Sequence, residues 1–425
     1  MVSSFLRAPE ASIPVACGSR SGTKAAYRFL SAEVSSQALR AAQADAAVER
    51  IRGRRRVLAV QDKTNLDFTC CPGTEGLGPL DSPLCWGLKV QTVLMLDEEG
   101  VPLGVIDQQV WARDDEMGKR QRRRDRAPEE KESWYWRKGF EAVQERVPPE
   151  VEIVGIGDRE SDIYFVLAMP RREGMNLLVR SAHDRGVKSE EHRHLRESVQ
   201  AAPVLGMYAL KLQRTRTRRE RSAQLEVRVA QVVLKLPRHG PNGMDLPPVS
   251  VSAVWVRECG EVPRGERRIE WLLLATWRVE TLEEAIECVR MYAHRWKVER
   301  YHYVLKSGCR IERLQLETAD RLDRALALYS FVAWRLLWLT YRAREAGGSP
   351  CTEALEEDEW RVLLAVSGMR QPRGPPTLQD AVRRIASFGG FQGRKGDGDP
   401  GVKAIWQGWR RLMDFVFAAQ ALAKP

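Results

Sequence analysis

Two aspartates, Asp62 and Asp158, each follow an apolar run that reads as a buried strand: Val57 to Val60 before the first, Val151 to Gly157 before the second. A carboxylate that ends such a strand emerges at the edge of an α/β sheet, where ligands are usually held. An Asp in that place also suits a plain cap or turn, because its short side chain bonds nearby backbone. A third acidic residue, Glu299, belongs to a run in which Tyr292, Arg295, Glu299, His302 and Lys306 recur at intervals of three, four, three and four. In one continuous helix this spacing puts all five on one face. The stripe reads equally as a solvated ladder of ion pairs or as the polar wall of a site, with Trp296, Tyr303 and Leu305 on neighbouring positions as its apolar flank.

The elements that must position these groups follow from the pattern. Val90 to Leu96 and Val101 to Trp111 are strand-like runs on either side of Asp97-Glu98-Glu99-Gly100, a hairpin turn. Ser133 to Val147 has helical spacing, a short helix opens at Asp158 and runs to about Met169, and Asn176 to Val179 is a further strand. This order predicts a mixed α/β sheet. Between Leu205 and Trp277 the pattern changes to alternating strands, such as Gln224 to Ala230, and reads as an inserted β subdomain. Thr281, three residues before Glu284, fits a capping box, so one long helix is expected from there to about Ser307, where Gly308 ends it. A second helix is expected over Arg321 to Ala346, followed by a helical tail with amphipathic segments at Thr377 to Phe388 and Ile405 to Ala419.

At 425 residues, with 43% hydrophobic and 29% charged residues, the chain has material for two or three folded domains and is not a disordered polymer. A net charge of +11 favours a polyanionic partner. No apolar stretch approaches the ~18 residues of a spanning helix, so no membrane role and a cytoplasmic location are expected. The eight cysteines form no CxxC pairs and read as reduced structural thiols rather than a zinc site. Basic runs at Lys119 to Arg126 and Arg214 to Arg221 suit either solvated loops or contacts to a phosphate backbone.

The run Tyr292-Ala293-His294-Arg295-Trp296-Lys297-Val298-Glu299-Arg300-Tyr301-His302, with Lys306 seven residues beyond Glu299, resembles the DDE transposases of the insertion sequence four group, and within it the transposon five type. Val60-Gln61-Asp62-Lys63-Thr64, Gly157-Asp158-Arg159-Glu160-Ser161-Asp162-Ile163, Ala26-Tyr27-Arg28-Phe29, Glu130-Lys131-Glu132-Ser133 and Trp271-Leu272-Leu273-Leu274 also resemble the family, so the similarity extends from about Ser21 to the tail.

The resemblance implies an RNase H-like mixed-sheet core with a β-rich insertion and a helical C-terminal tail. It implies that Asp62, Asp158 and Glu299 are catalytic and hold Mg²⁺, with Mn²⁺ able to substitute, for phosphodiester cleavage and strand transfer. Tyr292, Arg295 and Lys306 would hold DNA phosphates, His302 would lie near the scissile phosphate, and Trp271 and Trp296 are candidates to stack on a base turned out of a hairpin end. Double-stranded DNA, as terminal inverted repeats and target, and a homodimer in a synaptic complex are the implied partners. The implied organisation is a basic DNA-binding segment over 1–55, the first part of the catalytic core over 56–200, the insertion over 201–278, the second part of the core over 279–346, and a possible dimerisation region over 347–425. Only 25 residues precede Ala26, where relatives carry a longer helical segment. That segment therefore reads as incomplete, which leaves open a shortened regulator of a longer transposase or another RNase H-like nuclease. The acidic triad argues against a pure regulator, and the full Tyr-Arg-Glu-Lys signature against a generic nuclease.

Overall fold

The computed structural model describes residues 2–32, 34–82, 84–114, 127–212, 220–237, 246–368 and 374–422. The chain divides into two compact units. One comprises Ile51–Asp62 and Met117–Trp296, and the other Met1–Arg50, Lys63–Glu116 and Lys297–Pro425. The strands, in chain order, are β1 (Arg56–Asp67), β2 (Gly78–Pro79), β3 (Trp86–Leu96), β4 (Pro102–Trp111), β5 (Glu152–Gly157), β6 (Met175–Arg180), β7 (Val204–Leu212), β8 (Arg221–Leu234), β9 (Val249–Glu258) and β10 (Glu270–Ala275).

The first unit is an α/β sheet. The N-terminal half of β1 pairs in parallel with β5, Arg56 opposite Glu152 through Val60 opposite Ile156, and β5 pairs in parallel with β6. The fully buried Val57 to Val60 and Ile153 to Gly157 are the continuous apolar runs that a sheet covered on both faces demands. β10 then pairs antiparallel with β6, and β9, β8 and β7 follow in antiparallel order. The strands expected to form an inserted subdomain therefore extend the core sheet. The open edge of β6 needed a partner, and β10 supplies it. The helix Trp134–Arg146 lies close on this sheet. A Cβ on Gly139 would sit 2.5 Å from Nε2 of the buried Gln61, and one on Gly155 would sit 2.8 Å from the Phe140 ring, so both glycines are contact points between layers.

The second unit is mainly helical. The buried helix Ala319–Glu345 is started by the Thr318 hydroxyl, which accepts from the Arg321 N–H, and lies against the β3–β4 hairpin. Ser330 Oγ donates to Gln108 Oε1 at 2.8 Å and Trp334 Nε1 to the Pro102 carbonyl at 3.0 Å. The hairpin turns as expected: Gly100 adopts φ 86° and the Asp97 carboxylate accepts from the Val101 N–H at 2.6 Å. The amphipathic tail segments are the helices Leu378–Phe388 and Val402–Leu422. They cross so closely that a Cβ on Gly408 would lie 1.7 Å from the Ile385 carbonyl oxygen. Among the described residues, no helix is long and apolar enough to cross a membrane.

The single helix expected from Thr281 to Ser307 is instead three pieces. The helix Leu282–Ala293 begins at the expected capping box, Thr281 Oγ1 accepting from the Glu284 N–H. It ends where the His294 and Arg295 N–H groups turn back to Met291 and Tyr292, one residue short of the α-helical step. A second helix, Trp296–Tyr303, follows, and Val304–Gly308 is a π turn closed by the Cys309 N–H to the Val304 carbonyl at 2.8 Å. One contraction and one expansion of the hydrogen-bond step interrupt the single helix on which the expectation of one shared face rested.

Candidate functional site

In the sheet unit, strand register brings the two aspartates into line. Asp62 lies two positions past Val60, and Asp158 two positions past its partner Ile156, on adjacent parallel strands, which run ~4.8 Å apart. Asp62 does not end its strand. β1 continues to Asp67 through Lys63, Thr64 and Asn65, whose polarity reads as a loop in sequence, and what ends near Asp62 is the pairing with β5. Asp158 does follow the last residue of β5 and caps the short 3₁₀ turn Arg159–Ser161, its Oδ1 accepting from the Glu160 N–H at 2.8 Å. That turn folds back so tightly that a Cβ on Gly157 would lie 2.1 Å from Ser161 Oγ. The cap reading of Asp158 therefore holds.

Asp162 fixes the neighbouring strand end. Its carboxylate is fully buried, accepts from the Ala182 and His183 N–H groups at 2.7 and 3.1 Å, and takes a two-pronged contact from Arg185 at 2.9 and 2.7 Å. The segment so held begins just after β6, whose last residue, Arg180, follows Val179, the partner of Gly157. Asp62, Asp158 and Arg180 therefore occupy successive places across three parallel strands. The run Asn176 to Val179 marked this strand in sequence, but only register shows that the next residue is a cation beside Asp158.

The Arg180 guanidinium, which donates to the Glu270 carbonyl at 3.2 Å, lies near enough to the Tyr292 hydroxyl to act on its ionisation. Burial pushes the Tyr292 phenol above its ordinary pKa, Arg295 and Arg180 draw it back down, and Asp158 raises it. These four side chains thus share one electrostatic neighbourhood. Tyr292 is 2% exposed and packs edge-on against half-buried Trp271 at 5.3 Å. Arg295 is buried, with its guanidinium 4.7 Å from the centroid of the Trp296 ring, and Trp296 itself is 54% exposed. Of the two tryptophans, Trp296 is exposed, whereas Trp271 packs on Tyr292.

The helical unit holds Glu299, His302 and Lys306. Glu299 is half-buried on the helix Trp296–Tyr303. Lys306 lies in the π turn, its Nζ 3.4 Å from Glu312. His302 departs from the expectation of a contact near the phosphate. Its ring is buried, 3.3 Å from Thr92 Oγ1, and burial, aided by the nearby Lys306 charge, lowers its pKa to about 3. An uncharged imidazole has no charge to offer a phosphate. The basic runs fall largely outside the described residues. The exception is Arg221, which is engaged by Glu258 and Glu266.

Among the described residues, no group of three or more His, Cys, Asp or Glu stands together as a metal cluster.

Three family models match the chain: "Transposase DNA-binding" over residues 1–34, "Transposase DDE domain" over 91–335 and "Transposase Tn5 dimerisation domain" over 331–424. The DDE model alone takes in more than half of the chain and identifies the mixed sheet as RNase H-like. A solved structure described as the piggyBac transposase synaptic complex with hairpin DNA is 8% identical over 87% of this chain and 54% of its own, at a TM-score of 0.31. The chain spans about half the length of that protein, and the two folds share too little for the likeness to bear on this one. The three consecutive matches, together with the aspartates aligned on β1 and β5, show that the chain belongs to the DDE transposases of the Tn5 type.

Proposed function

We propose that this protein is a metal-dependent DNA transposase that moves an insertion sequence by cut-and-paste, with strand cleavage, a hairpin intermediate and strand transfer. The observation that carries the reading is the placement of Asp62 and Asp158 at matched positions on adjacent parallel strands, with the cation Arg180 next in register. Two hard carboxylates so placed fit Mg²⁺, with Mn²⁺ able to replace it, and the family signature assigns the third carboxylate to Glu299. When bound, the metal would activate the attacking hydroxyl and stabilise the leaving oxygen of an in-line displacement.

The chain's own residues supply the rest. Arg295 offers a planar fork for a phosphate, Lys306 a point charge, and Tyr292, packed against Trp271, a hydroxyl that holds without ionising. Trp296, with its exposed ring, would stack on an extrahelical base. Water first releases a 3′-hydroxyl. That hydroxyl then attacks the phosphodiester of the opposite strand, closing the hairpin and expelling the 3′-hydroxyl of the flanking DNA, and a second water reopens the hairpin to free the 3′-hydroxyl for strand transfer, so no covalent protein intermediate is required. Residues 1–34 would bind the terminal inverted repeat. Exposed Phe415, Phe417 and Leu422, within the matched dimerisation region, provide apolar surface for a homodimer that pairs two ends.

The test is cleavage of a duplex carrying the element's terminal sequence, in Mg²⁺ and in Mn²⁺. Asp62→Ala, Asp158→Ala and Glu299→Ala should each abolish cleavage while leaving DNA binding and the circular dichroism spectrum intact. Undiminished cleavage by Glu299→Ala would sink the assignment. Arg295→Gln and Lys306→Gln should weaken end binding and each flatten the salt dependence by about one phosphate's worth.

A further inference from the structure

We propose that Glu312 is a positioning residue that holds the Lys306 ammonium in the DNA-free protein and yields it to a DNA phosphate. The proposal rests on the reading of Lys306 as a phosphate contact. Three features of the helical unit support it. First, Lys306 and Glu312 are 3.4 Å apart, with side chains only 29% and 28% exposed, so the ion pair is partly shielded. Second, Glu312 is itself held: its Oε1 accepts from the Asp67 N–H at 2.9 Å, at the end of β1. The chain after β1 also clasps the chain after Glu312. Thr74 Oγ1 donates to the Leu316 carbonyl at 2.8 Å, and Glu75 and Ala319 exchange backbone bonds with Glu317 and Glu75 at 2.8 Å. Third, the backbone between the two partners is unusual. Lys306 sits in the π turn, and Arg310 adopts φ 52°, a left-handed conformation costly for a side chain of its kind. That reversal brings residue 312 back to face residue 306.

A carboxylate facing a lysine occupies the place that a phosphate oxygen would take, with the same charge and the same donor. Asp67 adds negative charge on this side: hydrogen bonds from the Thr69 hydroxyl and N–H hold its carboxyl below the ordinary range, and the Lys306 charge contributes. Entry of a phosphate at Lys306 therefore exchanges one anion for another. The exchange places a threshold on binding that a lysine in water would not have. Nothing in the exchange alters the donors to the reacting atoms, so the effect falls on binding rather than on the chemical step.

Glu312→Gln tests this, because the amide oxygen can still accept from Asp67 while the charge facing Lys306 is gone. The full-length protein and a duplex of the element's terminal sequence are used, with melting curves to verify the fold. The variant should bind the duplex about two- to fivefold more tightly, the range a partly exposed ion pair supports, and its half-saturating DNA concentration for cleavage should fall while the saturated rate holds. In a Lys306→Gln background the same change should have no effect. An equal gain in that background would show a general loss of negative charge and overturn the proposal. A fall in the saturated rate with unchanged affinity would overturn it too, since Glu312 would then be needed in the complex. If Lys306→Gln alone leaves affinity and its salt slope unchanged, the failure lies in the phosphate-contact reading on which the proposal rests.

Discussion

The interior His302 makes stability depend on pH in a direction that can be worked out. Its pKa falls from an ordinary 6.5 to about 3, by burial first and the Lys306 charge second. The unfolded chain therefore binds a proton near pH 6.5 that the folded chain refuses. The stabilisation is complete above pH 6.5 and is lost progressively as pH falls toward the folded value. By pH 5 the cost is about 1.5 pH units at 1.36 kcal/mol each, or ~2 kcal/mol. For a unit of this size that corresponds to roughly 4–8 °C in melting temperature. Other groups titrate over the same range, so the informative quantity is a difference. Urea denaturation of the protein and of His302→Gln should show a stability gap that changes by ~2 kcal/mol between pH 7.5 and pH 5, in the variant's favour as the solution turns acid. Gln can still reach Thr92, so the variant should fold. Parallel stability curves, or an imidazole resonance titrating near 6.5, would refute both the burial argument and the removal of His302 from the DNA-contact set. Consistent with that removal, the salt slope of end binding should be the same in His302→Gln as in the parent.

Further expectations concern positions where a single group holds the site. Asp162→Ala should cost ~3–5 kcal/mol in denaturant melts, because it strands the 10%-exposed Arg185 beside two N–H groups that lose their acceptor; a cost under 1 kcal/mol would deny the buried pair. Gly157→Ala places a Cβ 2.1 Å from Ser161 Oγ, which should cost ~1–3 kcal/mol and slow cleavage more than DNA binding by shifting Asp158; parental cleavage rates would contradict the tight turn. Phe417→Ser, at a position 65% exposed, should lower dimer mass in sedimentation of the DNA-bound protein without lowering monomer stability.

Much of the sheet unit was legible because its determinants are local. Val57 to Val60 and Ile153 to Ile156 are apolar runs with only one physical use, and Thr281 with Glu284 is a self-contained helix start. The hairpin turn at Asp97 and Gly100 likewise contains its own hydrogen bond and its own positive φ. What was not legible depends on partners distant in sequence. The continuation of β1 through Lys63, Thr64 and Asn65 is a matter of backbone pairing, to which side-chain polarity is a poor guide. The joining of β10 to β6, the place of Arg180 beside Asp158, and the reach of Glu312 to Lys306 all arise from register or loop closure. His302 misled for a related reason. Its i, i+3 spacing from Glu299 is compatible with either side of a helix edge, and only packing against Thr92 decides.

The break at His294 and Arg295 bears on how the signature works. In sequence, Tyr292, Arg295, Glu299 and Lys306 look like one surface on one rod. In the fold, the division between the two compact units falls between Trp296 and Lys297. Tyr292 and Arg295 are held by the sheet unit, through Arg180, Trp271 and the aromatic faces around the guanidinium. Lys306 is held by the helical unit, through Glu312, with Asp67 and the π turn behind it. A straight helix would set all four by the geometry of one backbone, and any tilt would move them together. Tyr292 and Arg295 thus depend on the soundness of one core, and Lys306 on that of the other.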